Sequence, residues 1–254
     1  MNTRSTLSQI VRNPEFLPRC ADVTTRLTKA ADDGEVTALL AEAVDIMGAD
    51  SAAFGSFIKD DESFTSYRFI LFCDERWCQR YEDGACFMHD PWLDYARHHS
   101  EPVLARTIAA RTEREHQVVA LTRHYGFESA IIVPTQGPQG LTRLGALCIG
   151  SSQPGYFESE AFASVAFVAV PLTLRLQEWQ VSQLRKELMD RAHLTDSDLL
   201  LLRHARDGLS SKETAAALRL NPIAVDSRWQ RLNARLGVDS RVSAACKAAE
   251  YGVI

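Results

Sequence analysis

Apolar residues recur at helical spacing over residues 16–30 and again over 34–48. In the second stretch Val36, Leu39, Leu40, Ala43, Val44 and Met47 form one stripe that Gly48 ends. The period then shortens: SAAFGSFIK (51–59) and FTSYRFILF (64–72) read as strands, with the acidic turn DDES between them. Residues 91–100 and 112–126 return to helical spacing, the latter closed by Gly126. SAIIVPTQG (129–137) and RLGALCIGSS (143–152) read as a further strand pair across the turn-rich GPQGLT. A long helical stretch, 157–188, completes this half, and Pro171 inside it is expected to kink or split it. Short strands with segregated helices imply an α+β class, an α-β-α sandwich on an antiparallel sheet.

The remaining residues are punctuated differently. Thr195 can cap a helix with Asp198 at its third position, and Gly208 ends it. Ser210 to Glu213 is a capping box that opens a second helix running through Leu218. Asn221 with Pro222 opens a third, ended by Gly237, and Ser240 can cap a fourth. Two short helices joined tightly and followed by a longer one form a helix-turn-helix pattern in an all-α, four-helix domain. The expected division is therefore 1–188 and 189–254.

Composition adds three constraints. The chain has 254 residues, 46% hydrophobic and 24% charged, which is ordinary for a globular protein of two domains. No apolar run has the length of a membrane span, and MNTRSTLSQIVRNPEF lacks the apolar core of a signal peptide, so the cytoplasm is the expected location. The net charge of −5 is uneven: residues 190–254 hold ten Lys/Arg against eight Asp/Glu, and the rest hold 18 against 25. On charge alone, the small excess in the tail says little about nucleic acid. The six cysteines form no CxxC pair and read as reduced core residues, and His98 beside His99 is wrong for two ligands on one helix face, so no metal is expected.

Two groups of residues carry chemistry. In the third tail helix Arg228, Arg231 and Arg235 share one face, a geometry suited to phosphates and guanine edges and equally to a solvated arginine face. In the front half, WCQRYEDGACFMHDP places Trp77, Tyr81 and Asp90 in a largely apolar setting. Taken alone they fit core aromatics followed by a helix start at Asp90-Pro91. No nucleophile–base pair, glycine-rich phosphate loop or metal spacing suggests an enzyme.

The tail from Leu194 onward resembles the LuxR-type helix-turn-helix. Leu194, Thr195, Gly208, Lys212, Glu213, Ala215, Leu218, Val225, Leu236, Gly237, Val238, Arg241 and Gly252 match that pattern without a gap. The resemblance implies DNA contacts through Lys212, Asn221, Ala224, Asp226, Ser227, Arg228, Arg231 and Arg235. Several of these depart from the family: Asp198 stands for Glu, Asn221 for Ser, Ala224 for Thr, Asp226 for a phosphate-facing Lys, Arg228 for His, Arg231 for Asn and Arg235 for Lys.

With that tail, Trp77, Tyr81, Asp90 and Pro91 fit the W-x-x-x-Y and D-P register of LuxR-type quorum-sensing receptors. The resemblance implies that the indole donates to the lactone carbonyl of an N-acyl homoserine lactone. It implies that the carboxylate accepts the ligand's amide N–H and that the phenol donates to the acyl carbonyl. Trp92, Ala105 and Cys148 complete the implied pocket and differ from the family's usual residues, as does Ala130. The implied protein is a homodimer that binds double-stranded operator DNA, with RNA polymerase as a further partner, no membrane and no cofactor. The alternative is a regulator of the same fold that needs no ligand or takes another small molecule.

Overall fold

A computed structural model describes residues 5–59, 65–138 and 141–254. The elements are α1 (Leu7–Val11), α2 (Phe16–Leu27), α3 (Asp33–Ile46), β1 (Ser51–Lys59), β2 (Thr65–Phe72), α4 (Glu75–Asp83), α5 (Pro91–His98), β3 (Val103–Leu104) and α6 (Glu113–His124). They continue with β4 (Ser129–Gln136), β5 (Leu144–Ser151), α7 (Phe162–Arg191), α8 (Asp196–Arg206), α9 (Ser211–Leu218), α10 (Pro222–Leu236) and α11 (Arg241–Glu250). The chain divides into two units, the second beginning in α7 at Gln180. The expected DDES turn and part of GPQGLT lie outside the described residues.

The first unit is an α-β-α sandwich, as the periodicity implies. Its five-stranded sheet has the order β2-β1-β5-β4-β3, and the pairs β1–β5, β5–β4 and β4–β3 are antiparallel. Alternation along the strands sorts side chains by size. Phe54, Ile131, Val133, Leu147 and Ile149 face a core built with α2, α3 and α7. The intervening Ala53, Ala130, Ile132 and Cys148 face α4, α5 and α6. The two faces therefore demand different partners. The bulky face is filled by aliphatic helices, whereas the small face receives the aromatic rings of Trp77, Tyr81 and Trp92.

Polar pins hold the edges. Asp50 accepts from Ser151 Oγ at 2.9 Å and from the backbone N–H of Ser152 at 2.7 Å, joining the start of β1 to the end of β5. The Trp179 indole donates to the Ala30 carbonyl at 2.9 Å. Of the two outcomes expected of Pro171, a kink or a split, the split does not occur: 30 residues run as one helix, α7, with the proline inside it. The proline removes the donor to the Phe167 carbonyl. Phe167 is 73% exposed, so the helix face that carries the unpaired carbonyl is not buried in the core.

The second unit has the four expected helices and their caps. Thr195–Asp198 and Ser210–Glu213 are both capping boxes, and Asn221 and Ser240 accept from the backbone N–H groups of Ile223 and Ser243. Leu201, Leu202, Val225, Trp229, Leu232 and Ala244 form its interior. One charged group ties three helices together. Arg241 of α11 bonds Asp226 of α10 and Ser211 at the start of α9, and its guanidinium lies 5.6 Å from the Trp229 ring centroid. Ser211 Oγ also donates to Asp226 at 2.9 Å.

Asp226 is thus bonded inside its own domain. The pair is partly exposed, so Asp226→Ala should lower the stability of this unit by only about 0.5–1 kcal/mol. Asp226→Lys, which sets a second cation beside Arg241, should lower it further. Hydrogen exchange of the α9–α11 amides would register both changes, and unaltered protection in Asp226→Lys would show that the ion pair contributes nothing.

Candidate functional site

The quoted segment folds into two helices that meet at one point. Asp74 caps α4, its side chain accepting from the Arg76 N–H, and α4 carries Trp77 and Tyr81 one turn apart on its buried face. A left-handed Ala85 (φ 46°) and a short turn at Cys86–Met88 return the chain to Asp90. Asp90 caps α5, with Pro91 in the first turn. Its Oδ1 accepts from the backbone N–H groups of Trp92 at 2.8 Å and Leu93 at 3.4 Å, while its Oδ2 accepts from the Tyr81 hydroxyl at 2.6 Å. The Trp77 indole donates to Thr122 Oγ1 of α6 at 3.2 Å.

These side chains surround a cavity of about 40 Å³ beneath the small-residue face of the sheet. Trp77, Tyr81, Asp90, Trp92 and Cys148 line it, together with Thr122. Phe69, Phe127 and Ile132 supply apolar wall, and Ala53, Gly55 and Ala146 keep the strand side open. A Cβ on Gly55 would stand 2.8 Å from the Phe57 ring and 2.9 Å from the Phe69 ring, so no larger residue fits there without displacing an aromatic. Ala105 is buried in the same cluster but does not line the cavity. Asp90 also borders a separate polar cleft of about 490 Å³ with Arg97, His99, Arg111 and Glu115.

Burial governs the protonation of the site. It pushes the Tyr81 phenol well above its ordinary value, and the Asp90 carboxylate beside it adds to the effect. Burial also raises Asp90, against the opposing hydrogen bonds from Tyr81, Trp92 and Leu93 and the charge of Arg97. The Cys148 thiol is pushed well above its usual range by burial, with Asp90 reinforcing it, and Cys73 is pushed up to about 12 chiefly by burial. Such thiols remain neutral and behave as small apolar groups. Among the described residues no cluster of His, Cys, Asp and Glu could hold a metal ion, and no helix is long and apolar enough to cross a membrane.

The residues singled out in the tail part into two sets. Lys212, Asn221, Ala224 and Arg231 are exposed, and Ser227 and Arg228 are half-buried. Arg228 donates to Ser197 at 2.9 Å. Asp226 is held by Arg241 and Ser211. Arg235 donates to the His193 carbonyl at 2.8 Å and pairs with Asp198 at 2.9 Å. The exposed start of α10 also presents Ile223, 74% exposed, for which the sequence pattern gives no signal. Thr122 was likewise missed. Its signal was its place one turn after Val118 on the buried face of α6.

Residues 32–173 match the autoinducer binding domain family. No curated protein matches the chain in sequence. Among solved structures, Escherichia coli SdiA superposes with a TM-score of 0.73 at 14% identity, covering 94% of this chain and 99% of SdiA. SdiA in complex with octanoyl-rac-glycerol gives a TM-score of 0.68 at 13% identity, covering 95% of this chain and 98% of that one. The Burkholderia cenocepacia factor CepR2, described as an N-acylhomoserine lactone dependent LuxR family transcription factor, gives 0.55 at 13% identity over 65% of this chain and 95% of its own. These likenesses establish a shared fold.

The buried carboxylate yields a pH prediction. Because the folded protein raises the Asp90 pKa, its contribution to stability is fully present below the ordinary value of 3.8 and is lost as pH rises through the folded value. Asn at this position caps a helix but does not titrate there. The stability of the parent relative to Asp90→Asn should therefore decline as pH rises through that window. Urea midpoints measured for both proteins from acid to neutral pH would test this, and a constant difference would show that Asp90 has an unperturbed pKa.

Proposed function

The chain belongs to the autoinducer-binding-domain family, and from that premise we propose that it is a LuxR-type transcriptional regulator of quorum sensing. Residues 1–188 bind an N-acyl homoserine lactone, and residues 189–254 bind double-stranded operator DNA as part of a cytoplasmic homodimer. The observation that carries this reading is the convergence of Trp77, Tyr81 and Asp90 on one apolar cavity within the matched residues. An ionised carboxylate has about four acceptor positions, and Tyr81, Trp92 and Leu93 occupy three of those on Asp90. One is left for a ligand N–H. Sites for drug-sized ligands hold about 300–1,000 Å³, so a cavity of 40 Å³ takes an acyl chain only by displacing side chains. That couples binding to repacking of the core, and the bound form is stabilised by mass action, about 2.7 kcal/mol at a hundredfold excess over Kd.

In the tail, α10 enters the major groove as the second helix of the helix-turn-helix. Lys212, Asn221, Ala224, Ser227, Arg228 and Arg231 meet the DNA. Asp226 and Arg235 hold the helix in place through Arg241 and Asp198, and the Arg241 pair reduces the repulsion that a free carboxylate would exert on phosphates. An exposed apolar row on α7, formed by Ala163, Phe167, Pro171 and Leu174, supports pairing with a second copy. RNA polymerase is a further partner of the DNA-bound dimer.

A second reading is a regulator of this fold that takes a different acyl compound. The internal satisfaction of Trp77 by Thr122 favours it, and the SdiA complex with octanoyl-rac-glycerol supplies an ester precedent in that protein. Mass spectrometry of whatever small molecule co-purifies separates the two readings. Soluble yield with and without added lactone separates the lactone reading from a regulator that needs no ligand.

The lactone reading is tested by isothermal titration. Asp90→Asn replaces an acceptor oxygen with a donor and should weaken lactone binding by about 1.5–3 kcal/mol. Equal affinity in parent and variant would remove Asp90 from the site. For DNA, Arg231→Ala should weaken binding and reduce the slope of log affinity against log salt by about one. Anisotropy titrations at several salt concentrations measure that slope. An unaltered slope would place Arg231 away from phosphate.

A further inference from the structure

Two indoles line the cavity, and they are in opposite states. Trp77 Nε1 donates to Thr122 Oγ1 at 3.2 Å. Trp92 is 6% exposed, and its Nε1 is buried without an acceptor among the described residues. A buried donor left unpaired carries a desolvation penalty, and such groups are uncommon in folded proteins. The residue cannot readily turn away. Its backbone N–H is held by Asp90 Oδ1 at 2.8 Å in the first turn of α5, and its ring packs in the cluster that contains Trp77, Tyr81 and Phe127.

The other polar tips around the cavity are engaged within the protein. The Tyr81 hydroxyl donates its hydrogen bond to Asp90, and Asp90 serves as acceptor and helix cap. The Cys148 thiol is at most a weak donor. We propose that Trp92 is a specificity-determining residue of this cavity, its indole N–H donating to a carbonyl oxygen of an uncharged acyl ligand. The assignment rests on the ligand-binding reading above and adds to it the residue that supplies the free donor. It also fixes the ligand's chemistry. An indole N–H donates and never accepts, so the matching group is an acceptor oxygen. The buried Asp90 carboxylate lines the same cavity and disfavours an anionic head group such as a free fatty acid.

The test uses the full chain and N-octanoyl homoserine lactone. Trp92→Phe keeps an aromatic ring but removes the donor, and should weaken lactone binding about tenfold, the scale of a neutral hydrogen bond. Trp77→Phe should weaken it less, because the Trp77 donor is already used by Thr122. A second measurement needs no variant at position 92. The chain has four tryptophans, so an amide-correlated spectrum of the parent shows four indole N–H signals, assigned by replacing Trp77, Trp179 and Trp229 in turn. Saturating lactone should move the Trp92 signal downfield as the hydrogen bond forms. Octanoate should fail to do so. Lactone binding by the parent with an unmoved Trp92 signal, or with undiminished affinity in Trp92→Phe, overturns the assignment and leaves the ligand-binding reading standing. A parent protein that binds no lactone overturns the lactone reading together with this assignment, and that failure is visible before any variant is made.

Discussion

The structure of the first unit follows from a difference in bulk between the two faces of one sheet. Strand alternation sends Phe54, Ile131, Val133, Leu147 and Ile149 one way and Ala53, Gly55, Ala130, Ala146 and Cys148 mostly the other. A close-packed interior tolerates such asymmetry only if the opposing layer compensates. Aliphatic helices meet the bulky face. On the small face the compensation comes from large flat rings on short helices, which tile a shallow surface without filling it. The cavity is what remains between rings that cannot interdigitate with alanine and glycine.

Rings such as Trp77 and Tyr81 carry polar tips, and each tip needs a partner once buried. That requirement explains the position of Asp90. It caps the N-terminus of α5, accepts a hydrogen bond from the Tyr81 hydroxyl, and borders both the cavity and the polar cleft beside it. The two readings open at the level of sequence, core aromatics with a helix start and a ligand pocket with polar tips, therefore describe the same atoms. A ligand at this site competes with contacts that already stabilise the protein. Binding is net favourable only if it supplies what the internal network lacks.

Most elements were legible because they depend on local chemistry. Caps at Thr195, Ser210, Asn221 and Ser240, and left-handed glycines at Gly48, Gly126, Gly208 and Gly237, mark helix ends wherever the helices pack. The aromatic and acidic side chains of the cavity were visible too, because their spacing matches a known pattern. What the sequence hid was partnership between distant residues. Thr122 meets Trp77 from 45 positions away, and Arg235 turns back to Asp198 instead of outward with Arg231. Helical spacing places these arginines on one face and says nothing about which one finds a carboxylate. Pro171 likewise leaves α7 unsplit, because one lost amide donor is a local cost that the packing of a long helix can carry.

The order of strands has a consequence for biosynthesis. β1 pairs with β5, and the register Ser51↔Gly150 spans about a hundred residues of chain. As the nascent polypeptide leaves the ribosome, β1 and β2 are made first and wait without their central partner while α4, α5 and α6 emerge. Those helices carry the rings that face the cavity, yet its strand floor at Ala146 and Cys148 appears only when β5 has been translated. Long-range pairing of this kind folds slowly and leaves strand edges open to aggregation. The vulnerable interval ends when β5 inserts between β1 and β4.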